Sequence, residues 1–226
     1  MPSPHDVNLS QIAKSALEEF GAKHAAREQG LQISRAVIRL SANAIRAVHR
    51  QEFDEAGDLI GQAGDRLKES SASLKGWPEI YYAGFLADAR KEYIEACVTR
   101  ALISGTPIPQ PGEMGVEMAP YLNGMAEAIG ELRRFILDSL RKGHTQRCEQ
   151  FMEIMEDIYS VLVTMDFPEG VTGGLRRTTD AMRGILERTR GDLTMALRQR
   201  DLEQKLASLE GKLEGCQGKQ TSSYVP

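Results

Sequence analysis

Three cysteines, at positions 97, 148 and 216, are all this chain has, and none forms a CxxC pair. An odd, scattered set excludes a disulfide framework, offers no thiolate zinc site and fits a reducing compartment, so a cytoplasmic location is expected. No segment approaches the run of about 18 uninterrupted apolar residues that a membrane helix needs. The opening MPSPHDVNLSQ lacks a basic region followed by an apolar core, so a soluble protein with no membrane partner is expected. Alternating β-branched runs with tight Asn-Gly turns are missing, which removes sheet architectures. No P-loop, GxGxxG, GxSxG or HExxH occurs, leaving no motif for a phosphate cradle, a dinucleotide, a serine hydrolase or a zinc protease. Charge of one sign is lacking too: 28 Lys and Arg stand against 32 Asp and Glu, a net −4. That excludes a disordered acidic tail and a strongly basic chromatin-type protein, so partners must be read from local charge.

What remains is rich in Ala, Leu, Glu, Arg, Lys and Gln, the residues of long helices. At 226 residues one compact domain is favoured. The spacing predicts an all-α, single-domain antiparallel bundle of about six or seven helices over residues 1–214, with a flexible tail over 215–226. The first predicted helix begins at Leu9 or Lys23 and runs to Arg50, and the second covers Asp54 to Leu74, where Gly57, Gly61 and Gly64 would permit close helix approach. Gly76-Trp77-Pro78 breaks the chain. A third helix spans Pro78 to Ser104, a Pro/Gly-rich loop follows, and further helices cover Met114–Arg141 and Thr145–Thr164. A last one runs from the Thr172-Gly173-Gly174 turn towards Glu214. From Leu202 onward, leucines interleaved with Glu and Lys have the pattern of a coiled coil or oligomer contact.

The first helix carries six Lys or Arg between Lys23 and Arg50 and one acid, Glu28. Arg35, Arg39, Arg46 and Arg50 fall within an arc of roughly 60° at 100° per residue, opposite Ile33, Val37, Leu40, Ala44 and Val48. A solvated helix face would account for the row. Its lack of acids favours a phosphate backbone, because four aligned guanidiniums repel one another until an anion neutralises them.

Acids are paired elsewhere. Glu92 and Glu95 stand at i, i+3, and Glu127 and Glu131 at i, i+4, each pair on one helix face. If the third and fourth predicted helices pair antiparallel, four carboxylates converge and need a cation. An all-oxygen set suits Mg²⁺, or Mn²⁺, over zinc, and such a site could activate water for phosphodiester cleavage. Polar surface is the competing account of the same glutamates. A ferritin-like di-metal site needs Glu-x-x-His pairs, and none of His5, His24, His49 or His144 follows a Glu by three.

Several segments, in this order and spacing, carry a resemblance: Ser34-Arg35, His49-Arg50, Glu92-Tyr93-Ile94-Glu95-Ala96, Gly124-Met125-Ala126-Glu127 with Gly130-Glu131-Leu132, and Thr172-Gly173-Gly174-Leu175-Arg176-Arg177. Over roughly residues 20–200 the chain resembles the translin superfamily, closer to translin-associated factor X and its archaeal relatives than to translin. The resemblance implies an all-helical fold, assembly into a closed hollow homo-oligomer from hexamer to octamer, and binding of single-stranded RNA or DNA. In the factor X branch it also implies Mg²⁺-dependent cleavage of RNA. Glu92, Glu95, Glu127 and Glu131 would then hold metal, one of them orienting the attacking water, while Arg35, Arg39, Arg46 and Arg50 bind phosphate. The catalytic branch tends to have Asp where this chain has Glu127, one methylene longer. Two other readings stay open: a translin-like nucleic-acid shell without catalysis, and a helical scaffold that binds only proteins through its leucine-rich last helix.

Overall fold

A computed structural model describes residues 4–220, with side chains over 8–213. Among them are nine helices and no strand: α1 (Pro4–His49), α2 (Phe53–Ser73), α3 (Pro78–Tyr81), α4 (Gly84–Ser104), α5 (Pro111–Met114), α6 (Met118–Arg141), α7 (Cys148–Leu162), α8 (Glu169–Thr172) and α9 (Leu175–Gln220). Six are long and three are single turns, in keeping with the expected all-α bundle. No described helix is long and apolar enough to cross a membrane.

Burial follows the helical periods. On α1, Ile33, Val37, Ala44 and Val48 are buried while Arg35, Arg39, Arg46 and Arg50 on the opposite side are exposed. One part of the core joins α1, α2, α4 and α6 around Val37, Ala63, Ile94, Val98 and Ala128. The other joins α6, α7 and α9 around Ile129, Leu132, Phe151, Met155 and Met182. Leu102, Leu122 and Met125 pack against both, so α4 and α6 form the spine.

The structure departs from the expected helix boundaries most clearly at three places. First, the predicted helix Pro78–Ser104 is broken at Tyr82 and Ala83. Arg90, 2% exposed, explains the break: its Nη2 donates to the Tyr81 carbonyl at 3.1 Å and its guanidinium covers the Tyr81 ring at 4.2 Å. Second, the helix expected from Met114 begins at Met118, because Gly115 in a left-handed conformation separates α5 from it. Third, α9 continues to Gln220 rather than Glu214. Side chains from 214 onward, and residues 221–226, lie outside the described residues, and with them most of the tail expected over 215–226.

Helix direction matters most for the site. Arg90 meets Glu117, Lys91 meets Glu127, and Gly124 lies against Lys91 and Ile94. From Arg90 with Glu117 through Lys91 with Gly124 to Glu95 with Glu127, partner numbers rise together, so α4 and α6 run parallel, and the 105–117 connection crosses back along them instead of turning them antiparallel. By the same criterion α6 and α9 are parallel (Asn123 with Thr178, Arg133 with Asp192). By contrast, α7 and α9 are antiparallel (Tyr159 with Arg183, Glu156 with Arg190). Of the glycines expected to permit close approach on α2, Gly64 faces the Tyr93 hydroxyl and Gly57 the Arg100 guanidinium, whereas Gly61 faces open space.

Candidate metal centre

Close approach of α4 and α6 begins at Gly124. A Cβ there would stand 2.5 Å from the Lys91 carbonyl oxygen and 2.8 Å from Ile94 Cβ, so only glycine lets the two backbones pack this tightly. With the helices parallel and in contact, the i, i+3 pair of α4 and the first acid of the i, i+4 pair of α6 meet at the same level. Glu92, Glu95 and Glu127 each place a carboxylate oxygen within 4.8 Å of the others, and all three are half-buried.

Crowding and burial favour the protonated forms of Glu92 and Glu95. Burial pushes the Glu95 carboxyl up to about 8, reinforced by the charges of Glu92, Glu127 and Glu131. Glu92 is also raised, by burial and then by Glu127. Lys91 provides the local counter-charge: its Nζ donates to Glu127 Oε1 at 2.8 Å. Burial lowers the Lys91 pKa, but the hydrogen bond and charge of Glu127, with Glu92 and Asp88, outweigh burial and raise it.

Glu131, the fourth expected ligand, is not among the three that converge. Its Oε2 lies 2.5 Å from His49 Nε2 and 3.8 Å from Arg134. It still adds to the field at Glu95. His49, with its side chain 6% exposed, therefore ties the end of α1 to the acidic cluster. No spacing rule joins residues 82 apart, so the sequence shows this contact only as the adjacent pieces His49-Arg50 and Gly130-Glu131.

Beside the carboxylates lies a cavity of about 520 Å³ lined by Glu95, Ala126, Glu127, Arg177, Thr178 and Met182, among others. The far wall belongs to the first turns of α9, placed by Asn123. This 5% exposed side chain donates to the carbonyls of Ala119 and Thr172 and accepts from the Thr178 hydroxyl at 3.0 Å. Gly173 and Gly174, both with positive φ, reverse the chain directly before α9. Arg177 thereby lines the same cavity as Glu95 and Glu127. The sequence shows it only as part of the 172–177 segment that starts the last helix.

The basic row is not uniform. Arg35, Arg39 and Arg46 make no ion pair among the described residues, whereas Arg50 is bonded to Glu52 and Glu55. The first three present free cations to solvent, and the last is largely neutralised by its neighbours.

No family model matches the chain. An uncharacterized protein of Methanocaldococcus jannaschii is 31% identical over 190 residues, which is 83% of this chain and 84% of that protein. Among solved structures, AfC3PO alone and AfC3PO in complex with duplex RNA each match with a TM-score of 0.75 and 32% identity. They cover 83% of this chain and 98% and 97% of their own. Apo-NeC3PO matches with a TM-score of 0.72 at 22% identity, over 87% and 99%, and shares the fold. C3PO is the complex of translin and TRAX. Similarity over most of both chains, at this identity and with this helical order, makes the chain a member of the translin superfamily.

Proposed function

We propose that this chain is a Mg²⁺-dependent endoribonuclease, with Mn²⁺ as an alternative ion. It would bind and cleave single-stranded RNA, and single-stranded DNA as a second polymer, inside a closed homo-oligomer of the hexamer-to-octamer class. The observation that carries the reading is the convergence of Glu92, Glu95 and Glu127 within 4.8 Å. Three half-buried carboxylates this close, with Glu127 helping to raise the pKa of both Glu92 and Glu95, are a set that a divalent cation relieves, and oxygen donors alone suit Mg²⁺ or Mn²⁺. Glu92, Glu95 and Glu127 would hold the ion, which when bound supplies Lewis-acid polarisation of a phosphate oxygen and a more acidic water.

The remaining work belongs to the chain. Arg177, which lines the same cavity as Glu95 and Glu127, binds the phosphate whose P–O bond is to break. Glu131, fixed by His49 next to Glu95, orients the attacking water and accepts its proton as the water oxygen bonds to phosphorus and the sugar oxygen leaves. Arg35, Arg39 and Arg46 hold the polymer by its phosphates, with Arg50 a weaker contributor because Glu52 and Glu55 already engage it. AfC3PO has been captured with duplex RNA, so duplex RNA belongs beside single strands in the assay.

Replacing Glu92 and Glu95 together by Ala should abolish Mg²⁺-dependent cleavage of a labelled RNA oligomer and leave its gel shift intact. Unchanged cleavage rejects the assignment. A second reading, a nucleic-acid-binding shell without catalysis, is favoured by one contact: Lys91 already neutralises Glu127 without any ion. It predicts a gel shift and no Mg²⁺-dependent product from the unaltered chain.

A further inference from the structure

We infer that residues 195–213 of α9 pair in parallel with the same segment of a second copy of this chain, forming a short two-stranded coiled coil outside the bundle. Helix α9 packs on its own bundle through Met182, Leu186, Leu193 and Leu197. Beyond Leu197 every described residue is exposed, including Leu202, Leu206, Leu209 and Leu213, each at least 50% exposed. These leucines do not extend the bundle-facing stripe. At about 100° per residue, Leu202 lies roughly 180° around the axis from Leu193 and roughly 140° from Leu197. Met195, 69% exposed, shares the Leu202 side. The bundle that covers one face of α9 therefore cannot cover this one by any lengthening of the same contact.

The stripe has heptad spacing. With Leu206 and Leu213 at a, the d positions are Met195, Leu202 and Leu209, and the remaining a position is Gln199. One polar a residue in an apolar seam is the device that sets register in two-stranded coils. The flanks decide the partner and its direction. The g positions are Arg198, Lys205 and Lys212, all basic; the e positions include Glu203 and Glu210, both acidic. A parallel pair sets each g against the e of the next heptad in the other chain, so Arg198 meets Glu203 of the second copy and Lys205 meets its Glu210. Antiparallel pairing would set basic g against basic g and acid against acid. The segment is thus complementary to itself in one orientation only.

Among the described residues the competing contacts are exposed and weak: Gln199 donates to Glu203 on its own helix at 3.1 Å. Lys205 bridges Asp201 on its own helix at 2.6 Å, with side chains 72% and 61% exposed, a contact readily exchanged in water. The paired length is about 28 Å at 1.5 Å per residue, too short to be tight alone, so pairing depends on copies already being near one another. The inference rests on no assignment of the acidic centre.

Cross-linking of the full chain tests it. In a Cys216→Ser background, where Cys97 and Cys148 are buried, Leu209→Cys should form a disulfide-linked dimer under mild oxidation. Ser208→Cys, on the outward side of the coil, should give about tenfold less. Adding Arg198→Glu and Lys205→Glu to the Leu209→Cys chain should remove most of the dimer. Mixing that chain with one carrying Leu209→Cys, Glu203→Lys and Glu210→Lys should restore it as a mixed pair. Equal yields at 208 and 209, no dimer at 209, or indifference to charge reversal would each overturn the parallel pairing. The last two outcomes would assign the stripe to another partner, such as the exposed Leu9, Ile12 and Phe20 of α1.

Discussion

Lys91 and Glu127, on neighbouring parallel helices, share a 2.8 Å hydrogen bond in which an ammonium occupies one of the three carboxylates that converge on the candidate centre. A fixed cation there competes with a mobile one. Lys91→Met should lower the Mg²⁺ concentration needed for half-saturation, measured by calorimetric titration. The same change should lower the melting temperature in EDTA, because the three acids then repel without a counter-charge. Weaker Mg²⁺ binding in the variant would mean that Lys91 supports the ion instead of competing with it.

Glu95 gives the expected pH dependence. Its folded-state pKa is raised from the usual 4.5 to about 8. Between those values the folded chain holds a proton that the unfolded chain has released, so stability is greatest below the lower value and falls as pH climbs towards the upper one. In EDTA, Glu95→Gln should therefore melt higher than the unaltered chain at pH 8 and nearly equal to it at pH 4.5. Saturating Mg²⁺ should close the gap at pH 8, since the ion replaces the proton only where a carboxylate remains. A gap that is the same at every pH would refute the assignment.

Gly124→Ala forces a methyl group to within 2.5 Å of the Lys91 carbonyl. Overpacking of this kind costs about 1–3 kcal/mol. The larger consequence is geometric, because separating α4 from α6 moves Glu127 away from Glu92 and Glu95. Chemical denaturation should report the first effect, and a loss of Mg²⁺ affinity greater than that of any equally destabilising core variant should report the second.

Asn123 joins α6 to the carbonyl of Thr172 and the hydroxyl of Thr178. Asn123→Ala leaves buried polar groups unpaired, at a cost of about 2 kcal/mol or more. It also frees the first turns of α9, so RNA cleavage should fall further than stability accounts for. Asn123→Asp keeps the acceptor for Thr178 but loses both donated bonds, so it should fail to restore cleavage; full activity in that variant would refute the positioning role.

Phosphate contacts are read from salt. Arg39→Ala should reduce the slope of log binding constant against log salt by about one, and Arg50→Ala by clearly less, because Arg50 is held by Glu52 and Glu55. Equal reductions would show that nucleic acid displaces those acids. Arg177→Ala, at the cavity, should reduce cleavage more than affinity.

What the sequence disclosed divides along physical lines. Helix periodicity located the Arg35, Arg39 and Arg46 face and the pairing of Glu92 with Glu95, because both are properties of one helix and its fixed 100° step. Contacts between helices were less legible. A connection of about a dozen residues does not dictate direction, so the parallel course of α4 and α6 emerged only from Arg90, Lys91 and Gly124. His49 and Glu131 meet across 82 positions, and neither residue marks the other. Arg177 lay in plain view at the start of the last helix, but its task depends on where Asn123 anchors that helix. The break at Tyr82 escaped because its cause, the buried Arg90, lies in the following helix.

The Lys91 to Glu127 contact also bears on how the chain reaches its fold. Three of the four acids have a domestic remedy: an ammonium for Glu127, an imidazole for Glu131 and a retained proton for Glu95. A newly made polypeptide can accordingly ripen to its finished shape while divalent salts are scarce.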